Sequence, residues 1–565
     1  MESILDGKVD IFYDLKLTPR EQQIDGVNFL KDSIRAGNRY MLLNLPTGVG
    51  KSYLSTMFIT WYLNAINGDA KFDILTNSKV LQKQYIRDYP YIRNLEGKAN
   101  YKCEKYLTNC EDGMEICSVR KTACEFCPYK NAVKNYIASR VSLTNFHMFN
   151  ICNIYTTSIK NERKANVLIV DEAQDFESVF CDYLSTELNV HNFVKCGFSD
   201  TERIKFKNII SSIDTIEDFI LAANEDILPA LKKQKKWLYS EIGKGEDLDG
   251  MLGGSGMQTL LSNETKIKYS KQVKMCEGKI NSIEIFLKEY NTNPDNWILE
   301  VNHRIDKKSK EEIRTLNVQP VWAHKYIPNY LFNEYDHIIF MSGTILSKNL
   351  FCNINGLSKD ITTYHSIPSP FPIKNRKIYY IKLGKMTHKE KIHTYERQLE
   401  TIKRLLNKYK DKKGIIHTAN YELATWIQRD LMLTEYGDRL IFHETANRDE
   451  RLNAHISSEK PSVLVSPSMM TGVDLKDDLS RFQIIMKMPY PNLTSKKIKQ
   501  RMKTYPDWYL WKTVVDLMQS YGRSVRSEDD FADTIILDSC LTDVLIQFDK
   551  YIPRYFTDAI TILKL

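Results

Sequence analysis

The chain has 565 residues, enough for three or four domains at roughly 100–200 residues each. Its 42% hydrophobic and 11% aromatic content can fill sizeable cores, which excludes a disordered chain. The net charge of +8 is a mild bias that suits a polyanion partner without forming a basic tail. No apolar run reaches the ~18 residues of a membrane span. Residues 1–16 lack the basic-then-apolar order of a signal peptide. The sequence therefore predicts a protein that is not secreted and binds no membrane. Its place is a reducing cytoplasm (nucleoid, or nucleus in a eukaryote), where structural disulfides are rare.

In chain order, a helix is predicted over Arg20–Arg35, a strand over Tyr40–Leu45, a helix over Lys51–Ile66 and a buried strand over Phe72–Thr76. Such alternation argues for a parallel sheet covered by helices. Five cysteines then crowd into one stretch: Cys103, Cys110, Cys117, Cys124 and Cys127. In a reducing compartment that crowding points to a metal or an iron–sulfur centre. The other six, Cys152, Cys181, Cys196, Cys276, Cys352 and Cys540, read as buried small apolar side chains. Val167–Val170 is a third buried strand. From about 178 to 320 strand-like runs become scarce, and charged stretches with helical spacing, such as Thr201–Ala223 and Ser270–Glu289, predict a mostly helical insertion. Gly250–Gly256 reads as a loop. Strand texture returns at His337–Met341. Ser366–Pro372, with Pro368, Pro370 and Pro372, reads as a hinge. Beyond it, strands at Lys377–Ile381, Gly414–His417, Ser462–Val465, Gln483–Lys487 and Thr534–Leu537 predict a second α/β domain.

The chemistry is carried by motifs at strand ends. Pro46-Thr47-Gly48-Val49-Gly50-Lys51-Ser52 lies between an apolar strand and a helix, the context of a phosphate-binding loop. The backbone N–H groups of Gly48, Val49 and Gly50 would turn around the β-phosphate, helped by the helix dipole. Lys51 would reach the β- and γ-phosphates of ATP, and the Ser52 hydroxyl would bind Mg²⁺. Leu45 stands where the full pattern has another glycine. Val167-Leu168-Ile169-Val170-Asp171-Glu172-Ala173-Gln174 ends a strand in adjacent carboxylates, Asp171 to hold Mg²⁺ and Glu172 to polarise the attacking water. Gln519 to Arg526 places Arg523 and Arg526 three residues apart, on one face if helical, as phosphate-binding fingers from the second domain. Met341-Ser342-Gly343-Thr344 can sense the γ-phosphate, and Thr471-Gly472-Val473-Asp474 follows a strand of the second domain. Bound ATP would hold the cleft between the domains closed.

The order of these motifs resembles superfamily 2 helicases, and specifically the iron–sulfur branch typified by XPD and DinG, over nearly the whole chain. The fold this implies is α/β: two RecA-like motor domains with a cysteine-rich metal-cluster insertion and a mostly helical arch insertion. The boundaries expected are 1–96, 139–177 and 321–372 for motor domain 1 and its hinge, 97–138 for the iron–sulfur domain, 178–320 for the arch and 373–565 for motor domain 2. Arg20-Glu21-Gln22-Gln23 looks like the N-terminal R-x-x-Q element, so that Gln23 would touch adenine. Thr76 to Gln84 is similar to a segment that contacts DNA backbone. Asn100-Tyr101-Lys102-Cys103 and Cys127-Pro128-Tyr129 look like the first and last cluster-ligand signatures. Thr144-Asn145-Phe146-His147, Ser369-Pro370-Phe371 and Met488-Pro489-Tyr490-Pro491 also match. By this resemblance Gly472 and Asp474 join the ATP site beside Gln23, and Gln519, Arg523 and Arg526 join the catalytic set.

The resemblance implies an ATP hydrolase and DNA helicase, a monomeric motor moving 5′→3′ on single-stranded DNA and acting on forked or tailed duplex. Arch and cluster domains would form a pore around one strand. A 4Fe–4S cluster takes four ligands from the five thiols. Cys103, Cys124 and Cys127 are favoured, with Cys117 as the fourth and Cys110 as its alternate; Zn²⁺ is the rival metal. The box reads Asp-Glu-Ala-Gln where the family has histidine in fourth place, so Gln174 bears on the coupling of hydrolysis to DNA. Two alternative functions follow: an ATPase switch that remodels protein–DNA complexes without processive unwinding, and an RNA-directed helicase. The Lys232-Lys233-Gln234-Lys235-Lys236-Trp237 run, Lys496-Lys497-Ile498-Lys499, Trp508 and Tyr509 read as solvated lysine faces and core aromatics rather than sites.

Overall fold

The computed structural model describes residues 18–46, 48–119, 124–243, 263–305, 311–467, 475, 477–522, 525 and 529–563. Two seven-stranded parallel sheets dominate it. The first runs in the order Thr362–Ser366, Tyr40–Asn44, His337–Ser342, Val167–Asp171, Phe72–Thr76, Val141–Asn145, Arg93–Leu95. Its inner strands are apolar runs because helices cover both faces. Every residue of Tyr40–Asn44, Phe72–Thr76 and Val167–Asp171 is buried. Helix Lys51–Ala65 is enclosed almost all round, with each residue from Tyr53 to Leu63 buried. The second sheet runs Leu440–Phe442, Val463–Ser466, Gly414–His417, Phe482–Ile485, Asp533–Ile536, Ile378–Ile381, Ile560–Leu563. Each is a RecA-like α/β layer, and the chain crosses from one to the other through residues 367–377.

The chain leaves the first sheet twice. Between Leu95 and Val141 it forms the cysteine-rich insertion, with a two-stranded ribbon (Lys102–Cys103 against Thr108–Asn109) and helices Cys110–Val119 and Pro128–Ala138. Arg163 knits that insertion to the sheet. Its Nε donates to Asp73 Oδ1 at 2.6 Å, and its Nη atoms donate to the carbonyls of Tyr136, Ser139 and Phe72 at 2.8, 2.5 and 2.8 Å. Asp73 also accepts the hydroxyls of Tyr136 at 3.3 Å and Tyr335 at 2.8 Å.

The second departure, between Asp171 and His337, is helical but not wholly so. Besides helices such as Leu228–Gly243 and the 30-residue Asn263–Thr292, it contains an antiparallel sheet of Thr186–Leu188, Glu312–Pro320 and Trp297–Ile305. The outer half of Trp297–Ile305 is exposed and polar, so the strand carries no sustained apolar alternation. The stretch Thr201–Ala223 is two helices, Asp200–Ser211 and Ile216–Ala222, because the Thr215 hydroxyl caps the second by accepting Asp218 N–H at 3.1 Å. The Gly250–Gly256 loop lies outside the described residues.

Motor domain 2 docks on both the first sheet's helices and this accessory region. Arg501, in helix Lys496–Thr504, is buried with its guanidinium 4.4 Å from the Trp322 ring centre and 5.1 Å from that of Trp508. It donates to Glu177 Oε1 at 2.8 Å and to the Val321 carbonyl at 2.7 Å. Glu300, on the accessory hairpin, caps the same helix by accepting Ser495 Oγ at 2.8 Å and Lys497 N–H at 3.2 Å. Among the described residues no helix is long and apolar enough to cross a membrane.

Candidate nucleotide site

The phosphate-loop segment follows Tyr40–Asn44 and opens helix Lys51–Ala65. Gly48 and Gly50 have φ of 82° and 84°, the left-handed region that glycine enters without a Cβ penalty. A Cβ on Gly50 would also stand 2.5 Å from Gln23 Nε2. The Gln23 side chain holds the loop: its Nε2 donates to the Val49 carbonyl at 2.8 Å and its Oε1 accepts Arg20 N–H at 2.9 Å. Arg20 Nη1 donates to the Gly48 carbonyl at 2.6 Å. Gln23, carried over as an adenine contact, is thus directed at the loop backbone.

Lys51 leads the helix with Ser52 beside it. Lys51 Nζ lies 2.5 Å from Glu172 Oε1 and 3.6 Å from Asp171 Oδ1. Asp171 ends its strand almost fully buried, and its oxygens accept Glu172 N–H at 2.9 Å and the Tyr85 hydroxyl at 3.3 Å. Burial pushes its carboxyl up to about 6; Lys51 opposes that rise and Glu172 adds to it. Glu172 has φ of 57°, strained for a non-glycine residue and found where function over-determines the backbone. A buried and a half-buried carboxylate sharing an ammonium form a donor set that fits a divalent cation held by oxygen ligands.

Gln174 is the centre of a polar chain. Its Nε2 donates to Glu172 Oε2 and to Asp175 Oδ2, both at 3.1 Å, and its Oε1 accepts Ser342 Oγ at 2.5 Å. Ser342 and Thr344 hydroxyls are 3.2 Å apart, and Thr344 Oγ1 accepts Gln519 Nε2 at 3.0 Å. Gln519 belongs to helix Pro506–Tyr521 of motor domain 2, so the bond crossing the cleft is made by Thr344, while Gln174 bonds within its own domain. Next to it, Pro46 and Thr344 line an apolar pocket with Met518, Tyr521 and Val525. Arg523, Arg526, Gly472 and Asp474 lie outside the described residues, as does Thr47.

The cysteines of the insertion fall into two neighbourhoods. Cys103 and Cys110 are buried; Cys117, Cys124 and Cys127 are half-buried. Burial raises the Cys110 thiol, which has Cys127 as side-chain partner and Cys103 nearby. Burial likewise raises the Cys117 thiol, which contacts Cys124 and Tyr106. Gly113 allows this packing, since a Cβ there would stand 2.5 Å from Cys103 Sγ. The donors suit an iron–sulfur centre, with four thiolates available from five. Among the described residues no three His, Cys, Asp or Glu side chains group to hold a metal ion, and no ligand set is singled out.

Lys232 and Lys235 pair with Glu284 and Glu277 at 2.7 and 2.6 Å. Trp508 is buried on Arg501, and Tyr509 stacks on Tyr490 with ring centres 5.6 Å apart. Sequence reasoning passed over Tyr85 and Asp175, although Asp175 stands one residue past the acidic box, and met Asn77 only as part of the Thr76 to Gln84 segment.

Residues 16–199 match the family described as "Type III restriction enzyme, res subunit", and residues 386–557 match "Helicase C-terminal domain". The fold is similar to two solved structures named XPD_Helicase and XPD_APO. The TM-scores are 0.65 and 0.56, each at 15% identity, covering 97% and 96% of this chain and 100% of either neighbour. The chain thus shares the fold of the XPD helicase structures and matches a helicase C-terminal domain in its second half. It is also 21% identical over 477 residues to the ATP-dependent DNA helicase CHL1 of Saccharomyces cerevisiae, a match that takes in 72% of this chain and 53% of that protein. The chain thus spans about half the length of that yeast relative.

Proposed function

We propose that the chain hydrolyses ATP to move 5′→3′ along single-stranded DNA as a monomer and so opens tailed or forked duplex. The observation that carries this reading is the meeting of Lys51, Asp171 and Glu172 at the loop, linked to the partner domain by the hydrogen-bonded chain Gln174, Ser342, Thr344 and Gln519. In it, the N–H groups of Gly48, Val49 and Gly50 cradle the β-phosphate, and Lys51 turns from the carboxylates to the β- and γ-phosphates. Ser52 and Asp171 would hold Mg²⁺, which would supply positive charge against the phosphate oxygens. Glu172 orients water for attack on the γ-phosphorus and accepts its proton as the bond to the β,γ-bridging oxygen breaks. Gln519 contributes from motor domain 2 and Gln23 braces the loop; by the resemblance, Arg523, Arg526, Gly472 and Asp474 complete the ATP site.

The cysteine insertion is assigned a 4Fe–4S cluster on Cys103, Cys124 and Cys127 with Cys117 or Cys110; when bound it cross-links the insertion and stiffens it as a strand guide. The visible absorption spectrum of anaerobically purified protein tests this. A broad charge-transfer band is expected, and a colourless protein with stoichiometric zinc overturns it.

Strand displacement with 5′- and 3′-tailed duplexes tests the motor. Opening of the 5′-tailed substrate alone is expected. Failure on both tails with hydrolysis retained favours the second reading, an ATP-driven switch that remodels protein–DNA complexes, for which the bonds tying Gln174 to Glu172 and Ser342 speak. Stronger stimulation by RNA than by a matched DNA strand would move the substrate to RNA.

A further inference from the structure

Asp175 has no part in the mechanism above, yet it sits where three parts of the molecule meet. Its Oδ2 accepts Gln174 Nε2 at 3.1 Å, and the same Nε2 donates to Glu172 Oε2 at 3.1 Å. The two N–H groups of one amide therefore bridge two carboxylates. Asp175 Oδ2 also accepts Asn77 Nδ2 at 3.0 Å. Asn77 follows strand Phe72–Thr76 and leads into helix Lys79–Asp88, whose first residues, Lys79 and Val80, are exposed. From the far side, Gln174 and Asp175 share a cleft with Lys512 and Asp516 of motor domain 2, which pair at 2.6 Å. Burial raises the Asp175 carboxyl, Lys512 and the Asn77 bond oppose that rise, and Glu172 and Asp516 add to it.

A side chain that bridges two carboxylates couples their positions. Displacing Asn77 releases Asp175 to move, and the Gln174 amide bonded to it moves with it. Bringing Lys512 nearer draws Asp175 toward motor domain 2, and the pull passes through the amide to Glu172. We infer that Asp175 is a positioning residue that sets the geometry of Glu172 through Gln174, according to what the Asn77 segment and motor domain 2 are doing. The inference rests on the proposed DNA-stimulated ATP hydrolysis.

Steady-state hydrolysis, with and without saturating single-stranded oligonucleotide, tests it on the full chain. Losing a hydrogen bond to a charged group predicts that Asp175→Ala lowers the DNA-stimulated kcat about tenfold while KM for ATP stays within about twofold. Asp175→Asn keeps an acceptor in the same place and recovers most of that rate. Adding Asn77→Ala to Asp175→Ala costs little more, because both cut one chain. A wild-type stimulated rate in Asp175→Ala overturns the inference, as do losses from the two substitutions that multiply. If Asp175→Ala does not fold, Asn77→Ala is measured by itself. It is expected to lower the DNA-stimulated kcat several-fold with KM for ATP within about twofold, and a wild-type stimulated rate overturns the inference. Wild-type protein that DNA does not stimulate at all refutes the proposed function instead, so the two failures are distinct.

Discussion

The first sheet buries two acid–base clusters at opposite ends of neighbouring strands, on opposite plans. Around Asp73, near the start of Phe72–Thr76, charge is answered on every side: the Arg163 guanidinium meets the carboxylate and four backbone carbonyls, and two tyrosine hydroxyls complete the shell. Around Asp171, at the end of Val167–Asp171, two carboxylates divide the Lys51 ammonium, and burial lifts the Asp171 carboxyl to about 6. A saturated cluster holds an insertion onto a sheet. On the proposed function, the second cluster is where substrate and cation bind.

Substitutions on the two sides separate these roles. Lys51→Ala is expected to lower DNA-stimulated ATP hydrolysis at least about 100-fold, roughly 3 kcal/mol of transition-state stabilisation, while the thermal midpoint moves by only a few degrees. Undiminished turnover would sink the mechanism. Arg163→Ala has the reverse profile. It strands Asp73 in the interior, so denaturant unfolding is expected to show a loss of about 3–5 kcal/mol, with KM for ATP preserved in the protein that stays folded. An activity loss without a stability loss would break the contrast.

Two smaller effects sharpen it. Arg501→Ala removes a saturated pair at the domain seam and is expected to cost about 2 kcal/mol in the same unfolding measurement. His455 is saturated without charge: its ring nitrogens meet Ser462 Oγ and the Leu479 carbonyl, both at 2.9 Å. Burial holds its pKa below the ordinary 6.5. The unfolded chain therefore takes up the proton first. The contribution of His455 is full above pH 6.5 and is lost as pH falls below it, by at most about 1.4 kcal/mol per pH unit. His455→Gln is expected to flatten the fall of the thermal midpoint with acid, and an unchanged slope would count against it.

How far the sequence could be read follows from the same physics. Strands covered on both faces are unbroken apolar runs, so Phe72–Thr76 and Gly414–His417 are found with the bounds expected. Val141–Asn145 hides because its interior holds Ser142 and Thr144, whose hydroxyls donate to the Tyr136 and Leu95 carbonyls at 2.8 Å. Edge strands such as Thr362–Ser366 and Ile560–Leu563 hide because they are half-exposed. In the site, local motifs announce Lys51, Asp171 and Glu172, since glycine spacing and adjacent acids are local features. The bonds from Gln23 to the loop, from Asn77 to Asp175 and from Gln519 to Thr344 join residues 26, 98 and 175 positions apart, and no local pattern carries them.

The cap that Glu300 places on helix Lys496–Thr504 has a mechanical consequence. Glu300 belongs to a hairpin rooted in the first motor domain's own insertion, yet it grips the second. Any rotation of motor domain 2 must drag that hairpin along or break the cap. The accessory region is thus geared to the cleft, and a small angular stroke at the hinge reaches the far end of the hairpin as a longer sweep.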